Sequence, residues 1–130
     1  MKNGQKIRKG IYDISTISKL IPSLPVKEFK TERVELDGDK VFVDSHRLIC
    51  FKKDDFVCTC CGLKGAFFAK EKHPNDGNFH LEFYALNSDG EEVIMTKDHR
   101  VPRSKGGSNS IENLDTMCGP CNWRKGNNVS

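Results

Sequence analysis

The sequence predicts a small α+β domain, and three observations carry that expectation. Phe79, Leu81, Phe83 and Ala85 alternate with His80, Glu82, Tyr84 and Leu86, the period-two pattern of a strand, and residues 93–96 resume a strand after the turn cluster Asn87-Ser88-Asp89-Gly90. Near the C-terminus, Pro120 suits the first turn of a helix and Gly126-Asn127 suits its close. Two C-x2-C pairs, Cys58/Cys61 and Cys118/Cys121, bracket these elements. A length of 130 residues bounds the answer to one domain, or one small domain with an arm.

Residues 1–32 mix Lys, Gly, Pro and Ser with scattered Ile and Leu, and Pro22 and Pro25 interrupt the helix-like stretch 14–20; they read as a basic irregular arm. Residues 33–57 read as a hairpin and a short helix. Asp37-Gly38-Asp39 suits a tight turn between Val34-Glu35-Leu36 and Lys40-Val41-Phe42-Val43. Ser45 would cap a helix running to about Phe51 and burying Leu48, Ile49 and Cys50. Residues 58–130 hold the rest. There the second strand runs into Lys97-Asp98-His99, Pro102 and residues 104–110 end it in a polar loop, and the order is strand, strand, loop, helix. Residues 70–78 read as a polar turn around His73, and Trp123 and the phenylalanines as core around the cysteines.

A mean hydropathy of −0.57 and the lack of any apolar run approaching about 18 residues exclude a membrane span, and the opening MKNGQKIRKG has no apolar core like a signal peptide's. The expected location is intracellular and cytoplasmic. In a reducing compartment six cysteines are metal ligands or buried thiols before they are disulfides. The net charge of +3 is mild but unevenly spread: residues 1–35 carry eight of the 21 Lys and Arg and four of the 18 Asp and Glu. A second basic stretch holds Lys97, Arg100, Arg103, Lys105, Arg124 and Lys125.

Two C-x2-C pairs can supply the four thiolates of a closed tetrahedral zinc site, because two intervening residues let one tight turn aim both sulfurs at one metal. Cys58, Cys61, Cys118 and Cys121 are therefore the candidate ligands of one structural zinc, which would staple the start of the C-terminal region to its last helix. A redox C-x2-C is the competing reading; its usual thioredoxin-like βαβ context is missing. Cys60 could replace Cys61 only with poorer C-x-C geometry, and Cys50 reads as a buried thiol. Asp98-His99, at a strand end, joins a carboxylate suited to Mg2+ with an imidazole able to accept a proton near neutral pH. Neighbouring strand residues point to opposite faces, so both serve one site only if the pleat breaks there, as Pro102 allows.

Asp98-His99-Arg-Val-Pro-Arg-Ser-Lys-Gly-Gly, Ile111-Glu-Asn113-Leu114 and Cys118-Gly-Pro-Cys121-Asn122-Trp-Arg-Lys125-Gly126-Asn127 together closely resemble the HNH endonuclease family in its zinc-stapled, four-cysteine form. The likeness covers residues 58–127. It implies a ββα-metal core in which a hairpin, a loop and a helix surround one catalytic Mg2+ or Mn2+, with DNA, double-stranded, as the partner and no membrane. By position, His99 would be the general base, Asp98 and Asn122 the metal ligands, and Asn113 the residue that braces the loop and orients the histidine. Some relatives carry His at the position of Asn122, and a neutral amide oxygen favours Mg2+ or Mn2+ over zinc there. Arg103, Lys105, Arg124 and Lys125 could contact flanking phosphates, or simply be solvated charges. The activity implied is a metal-dependent endonuclease or nickase, of a kind frequent as small free-standing proteins of phages and bacteria. Alternatives are a non-catalytic zinc-stapled module that binds DNA or protein, and a nuclease directed at RNA. His46, His73 and His80 match no motif position.

Overall fold

A computed structural model describes residues 6–126. Its frame is a five-stranded antiparallel sheet in the order β1 (Ile7–Asp13), β4 (Gly65–Lys72), β5 (His80–Leu86), β6 (Glu92–His99) and β7 (Leu114–Cys118). A separate hairpin pairs β2 (Arg33–Leu36) with β3 (Asp39–Phe42), and the helices are α1 (Ile14–Ser18), α2 (His46–Lys53) and α3 (Gly119–Lys125). The domain is thus a small mixture of helices and strands. No helix among the described residues is long and apolar enough to cross a membrane.

Local chemistry explains the elements the sequence predicts. Asp37 and Gly38 both have positive φ, +50° and +89°, the conformation a two-residue hairpin turn requires. The Ser45 side chain accepts from Leu48 N, and α2 buries Leu48, Ile49, Cys50 and Phe51. Leu81, Phe83 and Ala85 point into the core, where Phe83 stacks on Phe68 at 4.7 Å and meets Phe51 at 4.8 Å. The other phase of β5 is also covered: Glu82 and Tyr84 are only 8% and 9% exposed, roofed by polar partners.

Four expectations need correction. Residues 7–13 are an ordered edge strand on β4 instead of part of an irregular arm, and Ile17 and Ile21 enter the core. The strand hides in sequence because its isoleucines, Ile7 and Ile11, stay exposed, and its attachment is through backbone bonds and Arg8, which donates to Glu71 and Glu92. Lys2, assigned to the same arm, lies outside the described residues, as does Asn127. Residues 70–72 belong to strand β4, so the polar turn is shorter. Lys70 in that strand is fully buried, and its ammonium lies 2.7 Å from Asp39 and donates to Leu36 O. Between the loop and the last helix stands a further strand, β7, which makes the local order strand, loop, strand, helix. Trp123, finally, is 71% exposed on α3 and belongs to no core.

The pairing of β6 with β7 sets up the site. Met95, Lys97 and His99 oppose Cys118, Thr116 and Leu114, while Thr96 and Asp98 oppose Met117 and Asp115. Directly paired residues share a face. Thr116 bonds to Cys50 of α2, and Thr96 and Asp98 bond to Asn122 and Lys125 of α3. The β6–β7 pair is therefore sandwiched, with α2 on the Lys97 side and α3 on the Asp98 side.

Candidate functional site

Strand β6 ends at His99, and the chain bends at Arg100, whose N–H donates to Asn113 O at 2.7 Å. That break lets Asp98 and His99 both reach one cavity of about 290 Å3, which Arg103, Ser104, Lys125 and Gly126 also line. The loop behind it is cinched by one side chain. Asn113 Oδ1 accepts from Val101 N at 2.9 Å, while its Nδ2 donates to Val101 O at 3.1 Å and to Ser108 O at 2.7 Å. The approach is close enough that a Cβ on Gly107 would lie 1.7 Å from Val101 O, and Gly106 has φ +90°. Both positions need glycine.

His99 is held by Asn109: its Nε2 lies 2.7 Å from Asn109 Oδ1. An amide oxygen has no proton to give, so Nε2 is the donor, and in the neutral ring Nδ1 carries the lone pair. Asn113 bonds across the loop to Val101 and Ser108, and the contact to the imidazole comes from Asn109. Nothing local in the sequence singles out Asn109 from Ser108 and Ser110 beside it; an amide in the loop facing a strand-end histidine is the only signal.

The Asp98 carboxylate takes the Lys125 ammonium, which also donates to His99 O at 3.1 Å. Asn122 does not line the cavity; its side chain sits one strand step back, where Nδ2 donates to Thr96 Oγ1 at 2.8 Å. Thr96 in turn donates its single hydroxyl proton to Met117 O at 2.7 Å. The hydroxyl can then only accept from Asn122, which fixes the amide with its nitrogen on Thr96 and leaves Oδ1 unengaged by Thr96. Of the four cations expected at DNA, Arg103 and Lys125 line the cavity with Asp98 and His99, Lys105 is exposed in the 3-10 turn Arg103–Lys105, and Arg124 is turned elsewhere. Arg100 is exposed and paired with Asp115 at 2.8 Å, an interaction that holds the Asp115 carboxyl below its ordinary range.

The four predicted cysteines converge. The sulfurs of Cys58, Cys61, Cys118 and Cys121 all lie within 4.8 Å of one another, and Cys61 Sγ is 3.8 Å from Cys118 Sγ. A tetrahedral ion with Zn–S bonds of about 2.3 Å has an edge of about 3.8 Å, so the set fits a metal of that kind and could hold one. The first pair sits on a knuckle after α2, in which Cys61 N points at Cys58 Sγ at 3.5 Å and Gly62 N donates to Cys58 O. The second pair straddles the start of α3. Thr59 ties the two together without metal, through its N–H and hydroxyl to Thr116 O.

Electrostatics suit a cation. Burial would raise the Cys58 thiol, but surrounding backbone N–H groups outweigh it and bring it down to about 7, whereas burial and then neighbouring thiols push Cys121 up. Arg124 Nη2 lies 3.3 Å from Cys121 Sγ, where it would offset the negative charge of a tetrathiolate centre. Burial drives Cys50 up to about 11, the behaviour of an inert core thiol, and Cys60 is exposed.

The family model described as HNH endonuclease matches residues 87–130, about a third of the chain. No curated protein and no solved structure matches the chain. The matched segment runs from the β5–β6 turn through the Asp98–His99 strand end, the Asn113-braced loop and the second cysteine pair. Through this C-terminal segment, residues 87–130, the chain is similar to the HNH endonuclease family.

Proposed function

We propose that this protein is a metal-dependent DNA endonuclease that nicks duplex DNA, with β6, β7 and α3 as its ββα-metal core. The observation that carries the reading is the shared cavity in which the Asp98 carboxylate, the His99 imidazole, Arg103 and Lys125 meet, with His99 pinned through Nε2. Asp98 would hold a hard divalent ion there, and Asn122 Oδ1, which Thr96 does not engage, would be its second oxygen donor once the side chain turned to the cavity. Mg2+ or Mn2+ held there would neutralise charge on the phosphoryl oxygens and stabilise the leaving 3′ oxygen. His99 Nδ1 takes a proton from water, the resulting hydroxide oxygen forms a bond to phosphorus in line with the departing 3′ oxygen, and the P–O3′ bond breaks. The 3′ oxygen is protonated from solvent, leaving 5′-phosphate and 3′-hydroxyl ends. Zinc on the four cysteines is scaffold, because a site closed by four thiolates offers no open position for chemistry.

One feature favours the competing reading of a binding module without catalysis: Lys125 already sits on the carboxylate oxygen that the ion would use. Incubating purified protein with supercoiled plasmid and Mg2+ or Mn2+, beside His99→Ala, separates the two. We expect the wild type to nick and the variant to be slower by at least about a hundredfold, the usual contribution of a general base. Equal nicking by both proteins removes His99 from the chemistry, and no cleavage with either ion selects the binding module.

A further inference from the structure

A second and larger cavity, of about 430 Å3, opens on the α2 side of the sheet. Lys30, His46, Arg47, His80 and Lys97 line it, and no Asp or Glu does. The adjoining carboxylate, Glu82, is already shared by Arg47 at 2.7 Å, His80 at 2.9 Å and Lys6 at 3.5 Å. Lys30 and Lys97 have no ion-pair partner among the described residues. The cavity therefore carries uncompensated positive charge inside a partly enclosed wall, where attraction for an anion is less screened than on open surface.

A side chain on the same wall lies within reach of that charge. His46, stacked on Phe29 at 3.8 Å, is held below the ordinary histidine range, first by burial and then by Lys97 and Lys30.

The cavity adjoins the one around Asp98 and His99. Lys97 precedes His99 by two residues on β6, about 6.6 Å along the strand, so the two cavities open at the same strand end. Arg103, which lines the Asp98–His99 cavity, is close enough to act on Lys97. A separation of that size corresponds to one or two nucleotide steps at about 3.4 Å per nucleotide along a duplex strand.

We propose that the cavity between Lys30, Arg47 and Lys97 is a phosphate subsite that holds the DNA strand one or two nucleotides from the scissile phosphodiester. The proposal rests on the nuclease reading for what the neighbouring cavity does, but its charge and shape stand apart from that chemistry. Of its basic members Lys30, His46, Arg47 and His80 precede the segment that matches the HNH family model and Lys97 lies within it, so the subsite is built mostly by residues outside that segment.

The test is binding of a fluorescein-labelled 20-base-pair duplex by the full chain, read by anisotropy over a salt series without added divalent ion. Lys30→Gln combined with Lys97→Gln should weaken binding about tenfold and flatten the slope of log K against log salt by about 1 to 2, the signature of lost phosphate contacts. Lys27→Gln, which removes an exposed lysine elsewhere, should leave the slope unchanged. Lys97 is half-buried, so Lys30→Gln alone, at an exposed position, guards against a folding defect; its slope must fall by about one. Unchanged slopes in Lys30→Gln and in a folded double variant overturn the subsite. Competition by poly-glutamate as strong as by duplex at equal charge overturns it too, in favour of an acidic protein partner. Plasmid nicking by the wild type is scored separately: slope loss without any nicking refutes the nuclease reading and leaves the subsite standing, and nicking with unchanged slopes does the reverse.

Discussion

Thr96 has one hydroxyl proton and gives it to Met117 O, and that single commitment orients Asn122. Its place in the strand, two residues before Asp98, puts it on the α3 side with the proposed ligands, so it acts as a positioning residue for an amide that would otherwise be free to turn over. Thr96→Val keeps the shape and removes both the proton and the acceptor. Nicking should fall about 10- to 100-fold, the usual cost of losing an outer partner of a ligand, and the Mn2+ concentration for half-maximal rate should rise. Thr96→Ser should restore both. Losing the hydroxyl's bonds to Met117 O and Asn122 Nδ2 will lower stability by about 1–3 kcal/mol, so rates are compared on protein shown to be folded. An unchanged Mn2+ requirement in folded Thr96→Val would reduce Thr96 to a packing residue. The same logic places Asn109 behind His99: an oxygen on Nε2 leaves Nδ1 free to take a proton, whichever loop residue supplies that oxygen.

Glu82 shows how buried charge joins elements that are remote in sequence. From β5 it reaches Arg47 of α2, Lys6 just before β1 and His80 of its own strand. Burial would raise its carboxyl, but Arg47, Lys6 and His80 outweigh burial and hold it below the ordinary value of 4.5. A carboxyl lowered by folding contributes stability that is present above its unfolded pKa and is lost as pH falls through the folded one. Urea unfolding of the wild type should therefore lose stability steeply as pH drops below about 4.5, and Glu82→Gln should show a shallower acid limb and be about 1–3 kcal/mol less stable at pH 7. Parallel pH profiles would mean that Glu82 contributes nothing through its charge. Such tethers also explain what the sequence hides. The Asp37-Gly38 turn, the Ser45 cap, the C-x2-C knuckles and the Asp98-His99 strand end obey rules spanning a few residues, and each is legible. β4 is not, because Lys70 and Glu71 look like solvent-facing residues until Asp39, Arg8 and Tyr84 bury them. β1 escapes for the opposite reason, since an edge strand needs no apolar alternation when a backbone ladder and Arg8 attach it. β7 is five residues long and ends in a cysteine, so the metal motif masks the strand. Asp98, His99 and the cysteines are legible by spacing, whereas Asn109 and Thr96 act through contacts that close only when the loop and α3 fold back.

Taken as one molecule, the chain is closed by sulfur. Cys58 and Cys61 lie where α2 hands over to β4, Cys118 ends β7 and Cys121 lies in the first turn of α3, so one ion would join the helix-side layer to the helix that carries Asn122 and Lys125. α3 is seven residues long and presents Trp123 to solvent, and on its own such a helix has little to hold it. Metal binding to a four-thiolate site of this kind can contribute on the order of 10 kcal/mol, comparable with the whole stability of a small domain. Removing it should therefore act on fold and site together. Cys121→Ser, or chelation of the wild type, should take zinc from one equivalent to none, lower the melting temperature by more than about 10 °C, and abolish nicking even with saturating Mg2+ or Mn2+. Thr59, which bridges the knuckle to β7 without metal, sets a limit on the collapse: the β4–β5 pair and its Phe68–Phe83 stack should retain protection from hydrogen exchange while α3 loses it. Cys60→Ser is the control and should keep one zinc, because the exposed Cys60 sulfur stands outside the set of four. Full zinc content and an unchanged melting curve in Cys121→Ser would show that the four sulfurs are a buried thiol cluster, and a zinc loss in Cys60→Ser would hand the fourth position to Cys60 instead of Cys61.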